Sequence, residues 1–351
     1  MLRRLRDRTP RLRPCAEIVE CPQLKRTSRA ADYSQSLARR EYNWEGRAPR
    51  GPYLRLEHLN FGPRGTRPSD RMNITKSTED DQAGVHHTQI VRYGAAKGAE
   101  PSHDTVAVEE PLEIRVRGRG IAVTMRTPGH DPELAAGFLL TEGIVAKRDD
   151  ILQIAPCLQS DSSKNIWNVF LSPALNVDFE RLTRHVFASS SCGICGKASI
   201  DTVRQLFPAV ESKVCVSSQL LSELPERMRT AQRAFALTGG LHAAAIFDRT
   251  GELLVLREDV GRHNAVDKVL GYCLLSGSYP LESHILLVSG RASFEILQKA
   301  LAGRVPIICS VSAPSSLAVE FARESGQTLV GFLRGETMNV YAGAQRIAEL
   351  H

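Results

Sequence analysis

The segment from His284 to Leu333 constrains the fold more than any other part of the chain. Three short runs in it are apolar at almost every position: His284-Ile-Leu-Leu-Val-Ser-Gly290, Val305-Pro-Ile-Ile-Cys-Ser-Val311 and Thr328 to Leu333. Helical spacing separates them, over Ala292–Leu301 and Ser316–Glu324. A strand with one solvated face alternates apolar with polar residues, so strands apolar throughout belong in a sheet covered on both faces. A helix between successive strands carries the chain across a face of the sheet and makes those strands parallel. Upstream, Ala243 to Phe247 and Leu253 to Leu256 flank Asp248-Arg-Thr-Gly251 as a hairpin, and a helix covers Asn264 to Leu275. The expected fold class is α/β (α+β overall), with a mixed, partly parallel sheet in residues 186–351.

A smaller α+β unit is expected over residues 104–185. Ordered structure is expected to begin around Asp104, where Leu112-Glu-Ile-Arg-Val-Arg and Ile121-Ala-Val-Thr-Met alternate around Gly118-Arg119-Gly120, a hairpin signal. Asp131 is expected to cap a helix with Pro132 at its first position, lined on one face by Leu134, Phe138 and Leu139. Ile166 to Leu171 resumes as strand. Residues 1–103 differ in character: residues 1–71 hold 17 Lys and Arg against 8 Asp and Glu, of chain totals 45 and 39. The remainder therefore carries 28 basic and 31 acidic residues, which argues against a nucleic-acid-binding body. Two readings of the front stay open, a basic disordered extension or sequence ahead of a true start at Met72. Runs of the roughly 20 apolar residues that a membrane span needs are lacking, and eight unclustered cysteines do not make a secreted disulfide framework. A cytoplasmic protein is the expectation, with neither nucleic acid nor membrane as partner.

The chemistry is expected to start at Cys192-Gly-Ile-Cys195-Gly. Three serines precede it, and Ile200, Val203 and Leu206-Phe207 follow at helical spacing, so the two thiols are placed on a loop entering a helix N-terminus. Unpaired backbone N–H groups there, with Lys197 nearby, favour thiolate over thiol. Sulfur transfer, disulfide exchange and metal binding all use such a cysteine. A zinc site needs about four ligands and this pair supplies two; His242 and His263 could complete it, although their spacing does not demand it. Two small buried cysteines are the bland alternative.

Three strand ends of the sheet carry polar, glycine-bearing turns: Ser289-Gly-Arg291-Ala-Ser293, Ser310-Val-Ser312-Ala-Pro-Ser315-Ser316 and Phe332-Leu333-Arg334-Gly335-Glu336-Thr337. Open α/β sheets bind ligands at the carboxyl ends of their strands. Hydroxyls, an arginine and helix N-termini suit phosphate or diphosphate groups, although serine caps alone would explain any one turn. Thr238-Gly-Gly-Leu-His242 and Glu258-Asp-Val-Gly-Arg-His-Asn264 precede a strand and a helix; in the second, His263 reads equally as structural or catalytic and the acidic residues can serve to orient Arg262. A zinc deaminase would place H-x-E before P-C-x-x-C, the reverse of the order here, with Ala244 where its glutamate would be.

Together with Glu110-Pro-Leu112, Gly137-Phe-Leu139 and Thr141-Glu-Gly143, these strings resemble the formate dehydrogenase accessory sulfurtransferase family, over roughly residues 105–350. The resemblance implies a cytidine-deaminase-like catalytic half without zinc or any metal of its own. It also implies a cysteine desulfurase that loads persulfide sulfur onto Cys192, with Cys195 as its partner. The acceptor implied is the molybdenum or tungsten of bis-molybdopterin guanine dinucleotide, contacted by Phe332, Leu333, Arg334, Gly335, Glu336 and Thr337, before that cofactor enters formate dehydrogenase. Ser289 and Arg291 are additions from the strand-end argument, and a homodimer is the family expectation. A cofactor chaperone without turnover is the competing function.

Overall fold

The computed structural model describes residues 84–95, 97–157, 165–179 and 206–350. Its largest sheet contains six strands: β7 (His242–Phe247), β8 (Leu253–Asp259), β9 (Ile285–Val288), β10 (Ile307–Ser310), β11 (Thr328–Arg334) and β12 (Thr337–Ala342), in the order β12-β11-β10-β9-β7-β8. Strands β9, β10 and β11 are parallel, while β12, β7 and β8 join antiparallel to their neighbours. The mixed sheet expected from the sequence is the one observed. Successive side chains point to opposite faces of a strand, and both sets here are apolar. Ala244, Ile246, Leu286, Val288, Ile308 and Leu329 join one core with helices α4 (Arg262–Ser276), α5 (Phe294–Ala302) and α6 (Ser316–Glu324). Ala243, Ala245, Phe247, Ile285, Leu287, Ile307, Cys309 and Val330 join the other, under Leu221, Leu224 and Met228 of α2 (Ser218–Ala231).

The smaller sheet, in the order β4-β3-β6-β5, comprises β3 (Glu110–Val116), β4 (Arg119–Arg126), β5 (Ile151–Pro156) and β6 (Ile166–Leu171). The expected β3–β4 hairpin is present, but its two-residue loop is Arg117-Gly118, both at positive φ (50° and 77°), one position ahead of the glycine-centred turn read from sequence. Paired positive φ values match the right-handed twist of the flanking strands. A further hairpin, β1 (Val85–Gly94) and β2 (Gly98–Ala107), begins ahead of Asp104. Its strands are polar and lack a clean alternation, so sequence periodicity gave no sign of it; it packs against α3 (Arg233–Thr238).

Helix α1 (Asp131–Thr141) starts where expected but is not capped by Asp131. The residue before the first turn is His130, in the left-handed region at φ 58°. Asp131 is instead held at 2.9 Å through each oxygen by Nε and Nη2 of the buried Arg126. Desolvation of a guanidinium outcompetes capping for the carboxylate, because an unpaired buried charge costs far more than a missing cap.

His130 is partly buried, and that burial first, then the positive charges of Arg257 and Lys268, lowers its pKa to about 3. Its ring is therefore neutral, and the 3.7 Å approach to Glu133 is not an ion pair. The unfolded chain takes up a proton below the ordinary histidine value of about 6.5 while the folded chain does not, so acidification favours unfolding by about 1.4 kcal/mol per pH unit from this group. His130→Asn, which tolerates the left-handed backbone, is expected to lessen the stability lost between pH 6.5 and pH 5 by about 2 kcal/mol. Urea unfolding at the two pH values checks it; equal losses in both proteins would refute the assignment.

Helices α1 and α4 cross backbone to backbone. A Cβ on Gly137 would lie 1.8 Å from the Asp267 carbonyl oxygen, and one on Gly271 1.8 Å from that of Glu133. Buried charge pairs surround the crossing. Lys268 Nζ contacts Asp259 Oδ2 at 2.7 Å and donates to the Thr127 carbonyl, while Lys299 Nζ donates to both oxygens of Asp267 at 2.9 and 2.8 Å and to Thr141 Oγ1. Burial alone would lower the Lys299 pKa, yet the charges of Asp267 and Glu142 leave it raised. Among the described residues no helix is long and apolar enough to cross a membrane.

Candidate functional site

The parallel strands of the large sheet end on one side, and there the chain opens a cleft of about 790 Å³. Its base is formed by His242 at the start of β7, Ser289 just after β9 and Val311 just after β10. Leu333, Arg334 and Gly335, from the end of β11 and the turn into β12, line one side. Opposite stand Glu226 and Arg229 of α2 and Phe235 of α3, with Gly239 and Gly240 beyond. The strand order reverses direction at β9, whose neighbours are β10 on one side and antiparallel β7 on the other.

Local structure fixes each lining group. Phe332 sits at φ 51°, its N–H donating to the Ser312 carbonyl at 3.0 Å, and Gly335 turns the chain at φ 53°. Arg334 Nε donates to the Val311 carbonyl at 3.0 Å, and its guanidinium lies 5.7 Å from the Phe332 ring centroid. Its terminal nitrogens make no hydrogen bond among the described residues. Across the cleft, the Arg229 guanidinium stands 4.9 Å from the Phe235 ring centroid. Two arginines whose terminal nitrogens make no hydrogen bond among the described residues therefore line a cleft whose carboxylate, Glu226, is exposed on α2. Such a lining attracts an extended anionic ligand with a flat ring to stack. His242 has a lowered pKa through burial, then through Arg262 and His263, with Asp259 opposing. It presents a neutral imidazole to the cleft.

Of the six residues taken from the cofactor-contacting segment, Leu333, Arg334 and Gly335 line this cleft; Glu336 and Thr337 form the outer part of the turn, where the Thr337 hydroxyl donates to the Arg334 carbonyl. Ser289 lines the cleft as well, and its hydroxyl accepts from the Ala243 N–H at 2.9 Å. Arg291 is exposed outside the lining. In the second strand-end turn, Ser315 accepts from the Ala318 N–H at 3.2 Å and is an ordinary cap of α6. Cys192 and Cys195, with the segment around them, lie outside the described residues.

The acidic residues of Glu258-Asp259 do not orient Arg262. Glu258 accepts from the backbone N–H groups of Ala234 and Phe235, at 2.9 and 2.7 Å, and so anchors α3. Asp259 pairs with Lys268 and accepts from Gly261 N–H and Asn264 Nδ2. His263 Nε2 is 2.7 Å from Glu295 Oε2, across the starts of α4 and α5. The α2 wall was missed from sequence because Pro225 falls inside the helix, and an interior proline argues against one. Leu221, Leu224 and Met228, all buried, carried the helical period that would have found it.

Comparison with known proteins adds the remaining constraint. The FdhD/NarQ family matches residues 107–348. The sulfur carrier protein FdhD of Streptomyces coelicolor is 52% identical over 252 residues, covering 70% of this chain and 89% of the relative. That of Mycobacterium tuberculosis is 49% identical over 266 residues, covering 73% and 96%, and that of Saccharolobus solfataricus is 43% identical over 266 residues, covering 75% and 98%. Among solved structures, one described as a formate dehydrogenase accessory protein from Desulfotalea psychrophila superposes with a TM-score of 0.61 at 27% identity, covering 75% of this chain and 99% of that one.

Proposed function

The chain belongs to the FdhD/NarQ family, and from that premise we propose that it is a sulfur carrier acting in the maturation of formate dehydrogenase. Cys192 accepts sulfur as a persulfide from a cysteine desulfurase. The acceptor, and hence the substrate, is the molybdenum or tungsten of bis-molybdopterin guanine dinucleotide, held with one nucleotide arm in the cleft. The observation that carries this reading is the cleft itself: Leu333, Arg334 and Gly335, the centre of the segment that the family resemblance assigns to the cofactor, line it opposite Arg229 and Phe235. An arginine on each side can pair with phosphoryl oxygens, and a half-buried aromatic ring offers a face to a planar base.

The release step itself draws on no external oxidant or reductant. A persulfide holds its outer sulfur at the oxidation level of sulfane, whereas a metal-bound sulfido group is two electrons more reduced. Attack of the Cys195 thiolate on Cys192 Sγ forms a Cys192–Cys195 disulfide and breaks the bond to the outer sulfur, which leaves with the electron pair as sulfide. The two cysteines supply both electrons. The Cys195 proton leaves with the sulfide or passes to a base in the cleft, where His242 is neutral. A reductant of the thioredoxin class then resets the pair.

Intact-protein mass spectrometry after incubation with a cysteine desulfurase and cysteine tests the loading step. The wild-type chain is expected to gain about 32 Da, reducible by dithiothreitol, since a thiolate is the species that accepts sulfur. Cys192→Ala is expected to gain nothing, while Cys195→Ala loads but does not release sulfide. Equal labelling of Cys192→Ala, or no labelling of the wild type, would move the function to that of a cofactor chaperone without turnover.

A further inference from the structure

We propose that the outer edge of β1 is a docking edge for a partner protein, which adds an extended, acidic segment to the β1–β2 ribbon as a third strand. The inference does not depend on the sulfur chemistry proposed above.

Backbone geometry identifies the edge. The ten residue pairs of the ribbon run in unbroken antiparallel register, and no third strand joins it among the described residues. Residues directly opposite alternate between pairs that exchange N–H and C=O bonds and pairs whose groups point away from the partner strand. Pro101 has no N–H, so the Val91–Pro101 pair is of the second kind. Alternation then turns the N–H and C=O groups of Val85, His87, Gln89, Val91 and Tyr93 away from β2, and none of them hydrogen-bonds elsewhere among the described residues. The opposite edge, on β2, is blunted twice. Pro101 removes one donor there, and the Thr105 N–H is taken by Asp104 Oδ1 at 2.8 Å. Edges that must not pair carry such devices, and β1 lacks both.

The edge is also accessible and unsupported. Val91 and Tyr93 are 70% and 75% exposed, and the ribbon leans on α3 mainly through β2. A lone hairpin is marginally stable in water, and a third strand is what this one lacks. Charge selects the occupant. From Val85 to Ala99 the chain carries Arg92 and Lys97 but no Asp or Glu; Glu100 and Asp104 both lie on β2. A second copy of β1 along this edge would bring basic residues to basic residues, whereas acidic side chains on the added strand meet them with opposite charge. Backbone bonds supply the affinity in this mode of recognition, and side chains the selectivity. At its base the ribbon touches the wall of the cleft: a Cβ on the lining residue Gly240 would lie 3.8 Å from Ala107 Cβ. The docked strand is thereby joined to that wall through β2.

NMR titration of the whole ¹⁵N-labelled protein with a capped peptide of alternating glutamate and valine tests the edge. The amides of His87, Gln89, Val91 and Tyr93 are expected to shift, and those of Thr88, Ile90 and Arg92 much less. The same peptide with lysine for glutamate should bind about tenfold more weakly. Val91→Pro removes one outward N–H, leaves the bonds to β2 in place, and should weaken the acidic peptide about threefold to tenfold. Arg92→Gln with Lys97→Gln should weaken it about threefold. If Val91→Pro fails to fold, the charge variant decides alone. Absence of shifts with the acidic peptide, equal binding of the two peptides, or unchanged binding by the variants overturns the proposal. So does slow hydrogen exchange at the four outward amides without peptide: protection that grows with protein concentration would place a second copy on the edge, and protection independent of concentration would place a segment of the same chain there.

Discussion

Gly271→Ala is expected to abolish folding of the chain. The added methyl would lie 1.8 Å from the Glu133 carbonyl oxygen and 2.7 Å from both the Glu133 carbonyl carbon and the Gly137 nitrogen. Ordinary overpacking costs about 1–3 kcal/mol because side chains rotate away. Here each opposing atom is backbone in a helix, and relief requires α1 and α4 to move apart. That separation would open the core shared by Leu134, Leu139, Val266, Val269 and Leu270 and leave the charges around Asp267 poorly paired. The loss should approach the whole stability of a typical domain, about 5–15 kcal/mol. Gly137→Ala should behave alike, its methyl meeting Asp267. Gly277→Asn, at the left-handed C-terminal position of α4 with nothing within 4 Å of the new Cβ, should remain soluble with a cooperative melt. Circular dichroism and soluble yield for the three proteins check this; a folded Gly271→Ala with a near-native melting temperature would mean the crossing is looser than described.

The second large effect is expected at Lys299. Lys299→Met would leave the Asp267 carboxylate buried with only Thr141 Oγ1 as a side-chain partner, at 2.9 Å. Breaking a buried ion pair from one side costs about 3–5 kcal/mol, because the remaining charge keeps its desolvation penalty. Replacing both partners with apolar residues, as in Asp267→Leu with Lys299→Met, should recover most of that loss, since well-packed hydrophobic pairs substitute for buried ion pairs at little net cost. Urea unfolding of the two single variants and the double variant gives the coupling. Additive losses would show that the pair is not the interaction that matters there.

The parts of the fold readable from sequence were those governed by local pattern. Strands β9 to β11 declared themselves by unbroken apolar runs, and α6 falls at Ser316–Glu324, as its spacing indicates. The parts that were not readable depend on partners far along the chain. Asp131 looked like a cap until Arg126 claimed it. Glu258 and Asp259 looked like residues that orient Arg262, yet one anchors α3 and the other serves Lys268, Asn264 and the Thr127 N–H. A polar residue's role is set by which donor reaches it, and sequence spacing does not encode that. Ser289 and three of the six residues that the resemblance implies for the cofactor, Leu333, Arg334 and Gly335, line the cleft. Arg229 and Phe235 were not foreseen, because Pro225 concealed their wall. The role of Cys192 and Cys195 rests on their motif and on the family.

The helix crossing also bears on the order in which the chain can be made. Thr127, just ahead of α1, is bridged to Lys268 of α4 across 141 residues, and Thr141 to Lys299 of α5 across 158. At synthesis rates of about 5–20 residues per second, α1 leaves the ribosome roughly 7–30 s before the lysine that completes its first bridge. For that time its apolar side, including Leu134, Leu139 and Leu140, is without the surface it is shaped to meet. Successful production of this protein thus depends on what shelters one short helix while the rest of the message is read.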